Sequence, residues 1–270
     1  MQQISEQQFF GGYDHDSLQY HFFCDEIVGG GRLFHTNSMQ HASLWIFDGK
    51  NYRELQSKNG HYDANATDRL AVKMDGLMFI AEGKDINITF NDSHDGNKVI
   101  IRMKPVSEIT WGDTISTVIH QPMMEVELML DGKITKGVGY CKRYAWTPAP
   151  RHWGYRFIQG FVDEGRTSVW TADATFGLKK YGYFKIMYPN GDILTTPNDV
   201  SCHHQNSAYG LTAEGPVWIE IQPLSTWDAL LESDGMSSRM QQRACRMTVR
   251  SDNWEKHGYA INETCYGSLG

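Results

Sequence analysis

Arg143, Arg151, His152 and Trp153 set two guanidiniums, an imidazole and an indole within one short stretch. A guanidinium beside an indole can stack on it by cation–π contact, worth about 0.5–2 kcal/mol. It can also clamp a carboxylate, phenolate or enolate with paired N–H donors. The His152 imidazole could move a proton. Around these four stand Tyr140, Tyr144, Trp146 and Tyr155, with Pro148 and Pro150 stiffening the middle. Rings alternating with polar heads suit a cavity wall better than a plain core or a solvated loop. The plain alternative is that the arginines pair with surface acids and the tyrosines are ordinary strand residues.

Other titratable groups are scattered. Cys202-His203-His204 is the densest run. Neighbouring residues of a strand point to opposite faces, so one of His203 and His204 could enter a cavity as a general base. Asp173 lies between Trp170 and Phe176, where a desolvated carboxyl would have a raised pKa and could donate a proton. Trp170 adds another ring to the same wall. Cys141 sits beside Lys142 and Arg143, which would lower a thiol's pKa. No H-x-x-x-H, H-E-x-x-H or H-x-H spacing occurs, so no metal site is expected. Gly29-Gly30-Gly31 reads as a loop and is followed by Arg32-Leu33-Phe34, not by a Lys-Ser/Thr helix start. No phosphate cradle and no bound organic cofactor are expected. The G-x-S-x-G elbow of serine hydrolases is also missing.

The elements that must hold these groups read as strands. Apolar and polar residues alternate over Ala42–Phe47, Gly76–Ile80, Ile86–Phe90, Lys98–Met103, Glu125–Leu130, Arg156–Val162, Tyr183–Tyr188 and Val217–Ile221. Asp48-Gly49, Asp95-Gly96, Asp131-Gly132, Glu164-Gly165 and Asn190-Gly191 supply turn signals between them. This rhythm predicts an all-β chain of antiparallel hairpins, closed into barrels or sandwiches. One short helix is expected over Thr226–Glu232, with Ser225 as its N-cap. The length of 270 residues suits one large or two small β domains. A boundary near Gln121-Pro122 would give units 1–120 and 121–270.

The formal net charge of −7 argues against non-specific nucleic-acid binding, which needs a basic field. No run of eighteen apolar residues suggests a membrane span. Met1–Gln8 shows neither a basic nor an apolar leader pattern, and five cysteines form no C-x-x-C pair. Free thiols and a cytoplasmic location are the expectation. Nothing in the sequence fixes an oligomeric state.

The stretch Leu130-Asp131-Gly132, Gly137-Val138-Gly139-Tyr140, Arg143, Trp146 and Arg151-His152-Trp153-Gly154 resembles a known signature. It is similar to that of the tandem lipocalin-like superfamily of carotenoid 1,2-hydratases and tocopherol cyclase-like proteins. Phe157–Trp170 fits the hairpin that follows, and Gly258–Glu263 resembles the strand that closes many members. The resemblance implies two packed lipocalin-like β units around an apolar ligand. In this chain Tyr140 is followed by Cys141-Lys142-Arg143, where the hydratase motif carries an acid and a His.

Together these readings lead to an enzyme of cofactor-free acid–base chemistry: a hydratase, cyclase, isomerase or lyase. Its substrate would be a hydrophobic isoprenoid or aromatic small molecule, with an anionic or enolisable one favoured by the cations. Arg143, Arg151, His152, Asp173, His203 and His204 are the catalytic candidates. Tyr140, Tyr144, Trp146, Trp153, Tyr155 and Trp170 are the substrate-binding candidates. The other reading is a carrier that holds one apolar ligand without chemistry. Ionisable groups converging in the interior would favour the enzyme.

Overall fold

The structure is a computed structural model. It describes residues 15–36, 40–59, 63–64, 69–74, 77–82, 85–91, 98–107, 110–113, 117–146, 151–196, 201–233 and 235–269. Within these, side chains are described over 17–32, 43–55, 99–107, 120–142, 151–196, 204–232 and 235–268. The described residues contain strands and turns and no helix.

The chain divides into two units, 1–149 and 150–270. The first holds β1 (His15–Cys24), β2 (Ile27–Thr36), β3 (Gln40–Phe47), β4 (Tyr52–Asn59), β5 (Asp63–Ala64) and β6 (Arg69–Met74). It continues with β7 (Leu77–Glu82), β8 (Asp85–Asn91), β9 (Lys98–Pro105), β10 (Thr110–Asp113), β11 (Thr117–Leu130) and β12 (Lys133–Trp146). These form one antiparallel sheet in the order β4-β3-β2-β1-β12-β11-β9-β8-β7-β6-β5, with β10 on β11. The boundary expected near Gln121-Pro122 is instead a bulge inside β11, where the register with β12 shifts between Gln121 and Met124. A proline lacks the ladder N–H, so a bulge is a place where a strand tolerates it. β11 and β12 therefore belong to the first sheet.

The second unit holds β13 (His152–Val162), β14 (Thr167–Phe176), β15 (Lys179–Met187), β16 (Ile193–Thr195) and β17 (Ser201–His204). It ends with β18 (Ser207–Thr212), β19 (Gly215–Ser233), β20 (Met236–Ser251) and β21 (Glu255–Leu269). Their order is β16-β15-β14-β13-β21-β20-β19-β18-β17. β17 also lies against β14 and β15, so this sheet curls nearly closed. The helix expected over Thr226–Glu232 is the far end of β19. There Trp227 and Leu231 are buried while Asp228, Leu230 and Glu232 are exposed, a period of two. The register shift between Pro223 and Ser225 interrupts the pattern just before it.

The hairpin signals act as read where they are described. Asp131 and Gly132 both take positive φ, 51° and 80°, and join β11 to β12 in two residues. That geometry matches the strands' right-handed twist. Asp163, Glu164 and Gly165 turn β13 into β14 with positive φ throughout. Asp95-Gly96 lies outside the described residues.

Each unit has its own apolar core. In the first, Leu18, Tyr20, Phe22 and Cys24 of β1 pack with Leu44, Ile101, Val126 and Leu128. In the second, Ile158, Val162, Phe184, Ile219, Met247 and Ala260 form the centre. Residues alternate across a strand, so the opposite faces of β1 and β13 carry a different set. On β1 that face is mostly polar yet buried, and on β13 it is mostly aromatic, half-buried at Trp153 and Tyr155 and buried from Phe157 onward.

Candidate functional site

The second face of β1 carries Ser17, Gln19, His21 and Phe23, all buried. Its register sets Gln19 opposite Arg32 of β2 and Lys142 of β12, and Lys142 opposite His120 of β11. One row across four strands thus holds a guanidinium, an amide, an ammonium and an imidazole. The next row sets His21 between Gly30 and Tyr140, with Trp45 beyond Gly30. His21 and Tyr140 have 0% exposure, Lys142 2%, His120 6% and Arg32 8%. Ionisable groups are seldom this buried, because leaving water costs several kcal/mol per ion.

Tyr140 is the hub. Its ring centroid is 5.1 Å from that of His21 and 6.2 Å, edge-on, from that of His120. Lys142 Nζ lies 5.9 Å from the same centroid. Arg32 Nε donates to Ser17 Oγ at 2.7 Å, which fixes the guanidinium at the end of the row. Two imidazoles beside a phenol can take and return a proton, and the ammonium can stabilise negative charge that develops there.

Sequence reasoning gave His21 no role and considered His120 only as a distant metal partner of His203 and His204. A signal for His21 did exist in Gly29-Gly30-Gly31, which is no loop but the middle of β2. A Cβ on Gly30 would fall 2.1 Å from His21 Cδ2, so the imidazole occupies the missing side chain's place. Glycines inside a strand mark such close approaches.

The second unit has a centre of its own. On one face, Phe157 of β13, Glu263 of β21, Gln242 of β20 and Trp227 of β19 lie opposite one another in a row. All four are buried, Glu263 at 1% exposure. Tyr155 donates its hydroxyl to Glu263 Oε1, and Gln242 Nε2 donates to Glu263 Oε2. A carboxylate without water is held by such donors. Gln159 and Trp170 occupy neighbouring positions, opposite each other on β13 and β14, and both are buried. Glu263 ends the Gly258–Glu263 stretch used for the resemblance, but sequence reasoning gave it no role.

The remaining candidates fall elsewhere. Arg151 and His152 are exposed at the start of β13. Asp173 is not the desolvated acid expected. It is half-exposed and lies 4.0 Å from Lys180 Nζ, because alternation turns it away from Trp170. His204 is exposed on β17, while the side chains of His203, Arg143, Tyr144 and Trp146 lie outside the described residues. Cys141 is no activated nucleophile: burial pushes its thiol up to about 12, against the smaller downward pull of Lys142. Trp153 is half-buried two residues before Tyr155. Its indole lies over Gly267, where a Cβ would meet Trp153 Cζ2 at 2.0 Å. Among the described residues no three His, Cys, Asp or Glu side chains converge as metal ligands would. A groove of about 600 Å³ opens over β19–β21 beside Arg246, His257 and Tyr259, and none of the sequence candidates line it.

The fold places these rows in a known setting. Over 98% of this chain and 96% of the other, it superposes on the crystal structure of an AttH-type protein of Nitrosomonas europaea, with a TM-score of 0.67 at 13% identity. Kievitone hydratase of Nectria haematococca matches over 98% of this chain and 93% of its own, with a TM-score of 0.64 at 12% identity. CghA matches over 95% and 89%, with a TM-score of 0.59 at 9% identity. The fold is lipocalin-like, in two units. It is the fold that the sequence resemblance implies, and kievitone hydratase shares it. No family model and no curated protein sequence matches the chain.

Proposed function

We propose that this protein is an acid–base enzyme of hydratase or cyclase type, acting on a hydrophobic, ring-bearing small molecule with its own side chains. One observation carries the reading: His21, His120 and Lys142 converge on Tyr140 in a fully buried setting. A carrier for an apolar ligand has no use for such a cluster, whose burial costs stability. The likeness in fold to kievitone hydratase and CghA supports the same class.

In this reading one of His21 and His120 takes a proton from the substrate or from water, and Tyr140 is the phenolic donor. Lys142 and Arg32 favour an enolate or phenolate as charge develops. Hydration and cyclisation both need a proton delivered at one atom and removed at another, which two imidazoles and a phenol can provide. Tyr140, chosen from sequence as a substrate-binding residue, is assigned in this reading to the proton-handling group. Tyr155, Trp153 and Trp170 remain candidates for the substrate's rings.

The test is an extract of the source cells incubated with the purified protein in D₂O and read by mass spectrometry. The reading predicts that one aromatic or isoprenoid compound gains the elements of D₂O, with one deuterium fixed on carbon, or an isomer appears carrying deuterium. If a compound binds the protein and is recovered unchanged, the carrier reading replaces this one.

A further inference from the structure

Glu263 is too deeply buried to meet a ligand itself, at 1% exposure. Tyr155, which donates to it, is only half-buried. The shared face of β13 runs from accessible to closed: Trp153 and Tyr155 are half-buried, while Phe157, Gln159 and Phe161 are buried. Of Tyr155 and Gln242, the two side chains that donate to Glu263 Oε1 and Oε2, only Tyr155 keeps solvent-exposed surface. Trp153 and Tyr155 are same-face neighbours about 7 Å apart along the strand. A flat ring stacked on the Trp153 indole can therefore bring a substituent to the Tyr155 hydroxyl. The missing side chain of Gly267 lets that indole lie against the sheet.

We propose that Tyr155 and Glu263 form a proton relay in the second unit, serving a ring-bearing ligand that stacks on Trp153 and presents a hydroxyl or enol to Tyr155. The relay rests on the acid–base reading above and adds a second proton-handling centre to it. Its step balances without any co-reactant. The ligand's O–H bond breaks and its proton passes to Tyr155 Oη, while the Tyr155 proton passes to Glu263 Oε1. The ligand is left as phenolate or enolate, the phenol is restored, and the carboxylate becomes a carboxylic acid. The reverse sequence returns the proton. Gln242 is a positioning residue: its Nε2–H holds Glu263 Oε2, so that Oε1 faces Tyr155.

The experiment uses 2-naphthol, a photoacid whose neutral and anionic forms emit at different wavelengths, with 2-methoxynaphthalene as the ring without a proton. The wild-type chain should bind 2-naphthol about tenfold more tightly than 2-methoxynaphthalene, the worth of one hydrogen bond to a charge-backed partner. Tyr155→Phe should remove that preference, and Trp153→Ala should weaken both probes. Glu263→Gln keeps the side chain's shape but cannot take the proton. It should lower the anion-to-neutral emission ratio of bound 2-naphthol at least as far as Tyr155→Phe does. Should Glu263→Gln fail to fold, Tyr155→Phe, a change at a half-buried position, carries the emission test alone. Equal affinity for the two probes, no loss of binding in Trp153→Ala, or an emission ratio unmoved by both Tyr155→Phe and Glu263→Gln overturns the proposal. No turnover is needed, so failure of the Tyr140-centred reading would leave these outcomes readable, and the converse also holds.

Discussion

The imidazole of His21 fills the space that a side chain on Gly30 would need, with His21 Cδ2 2.1 Å from the position of a Cβ there. Tyr20's carbonyl oxygen stands 2.7 Å from the same point, so the backbone as well as the ring closes it. The Tyr140 cluster therefore depends on a glycine in the next strand.

Gly30→Ala should push the His21 ring away from Tyr140 and strain the β1–β2 pairing. Overpacking of this kind costs about 1–3 kcal/mol. A urea midpoint that drops, together with a shifted His21 imidazole resonance, is the expected outcome. An unchanged midpoint would mean that the sheet absorbs the methyl group.

Gln242→Leu should destabilise the second unit by about 1–3 kcal/mol, because it removes a donor from a buried carboxylate. Making the change together with Glu263→Leu should cost less than the sum of the two single changes, since both halves of the bond then leave together. Chemical denaturation of the four proteins in the cycle measures this coupling. Strict additivity would show that the hydrogen bond carries no stability.

The thiols of Cys24, Cys141 and Cys245 are each pushed up to about 12, chiefly by burial. At pH 8 the folded chain should leave all three unreactive toward an aromatic disulfide reagent until it unfolds. The sign of the linked pH effect follows. Below an unfolded thiol pKa of about 8.5 both states keep their protons, and the full stability is present. As pH rises from there toward about 12, the unfolded state loses protons first and stability falls. Urea midpoints at pH 7 and pH 10 should differ in that direction, and a smaller drop in Cys141→Ala identifies its share.

The strands and several turns were legible because they are local. Asp131-Gly132 between alternating runs names its own hairpin, and Val217–Ile221 shows its period without any partner. Thr226–Glu232 misled because Ser225 imitates a helix N-cap, while the bulge just before it, between Pro223 and Ser225, depends on pairing with β20. The site was less legible for a physical reason. His21 and Tyr140 are neighbours through register, a long-range property that no window of sequence contains. Both faces of β1 are buried, so the usual contrast between an apolar inside and a polar outside is missing there. Asp173 failed for a related reason: the rings at 170 and 176 share one face of β14 while Asp173, at an odd position between them, points to the other, and only the pairing with β15 reveals Lys180 beside it.

The pH–rate profile of Tyr140→Phe and His21→Gln, taken on the compound that the wild-type chain converts, tests the central claim most directly. Removal of a positioned acid or base should lower turnover by about 10²–10⁴-fold and abolish one limb of the profile, with substrate binding largely kept. Turnover and pH dependence equal to wild type in both variants, with the fold intact, would contradict the account.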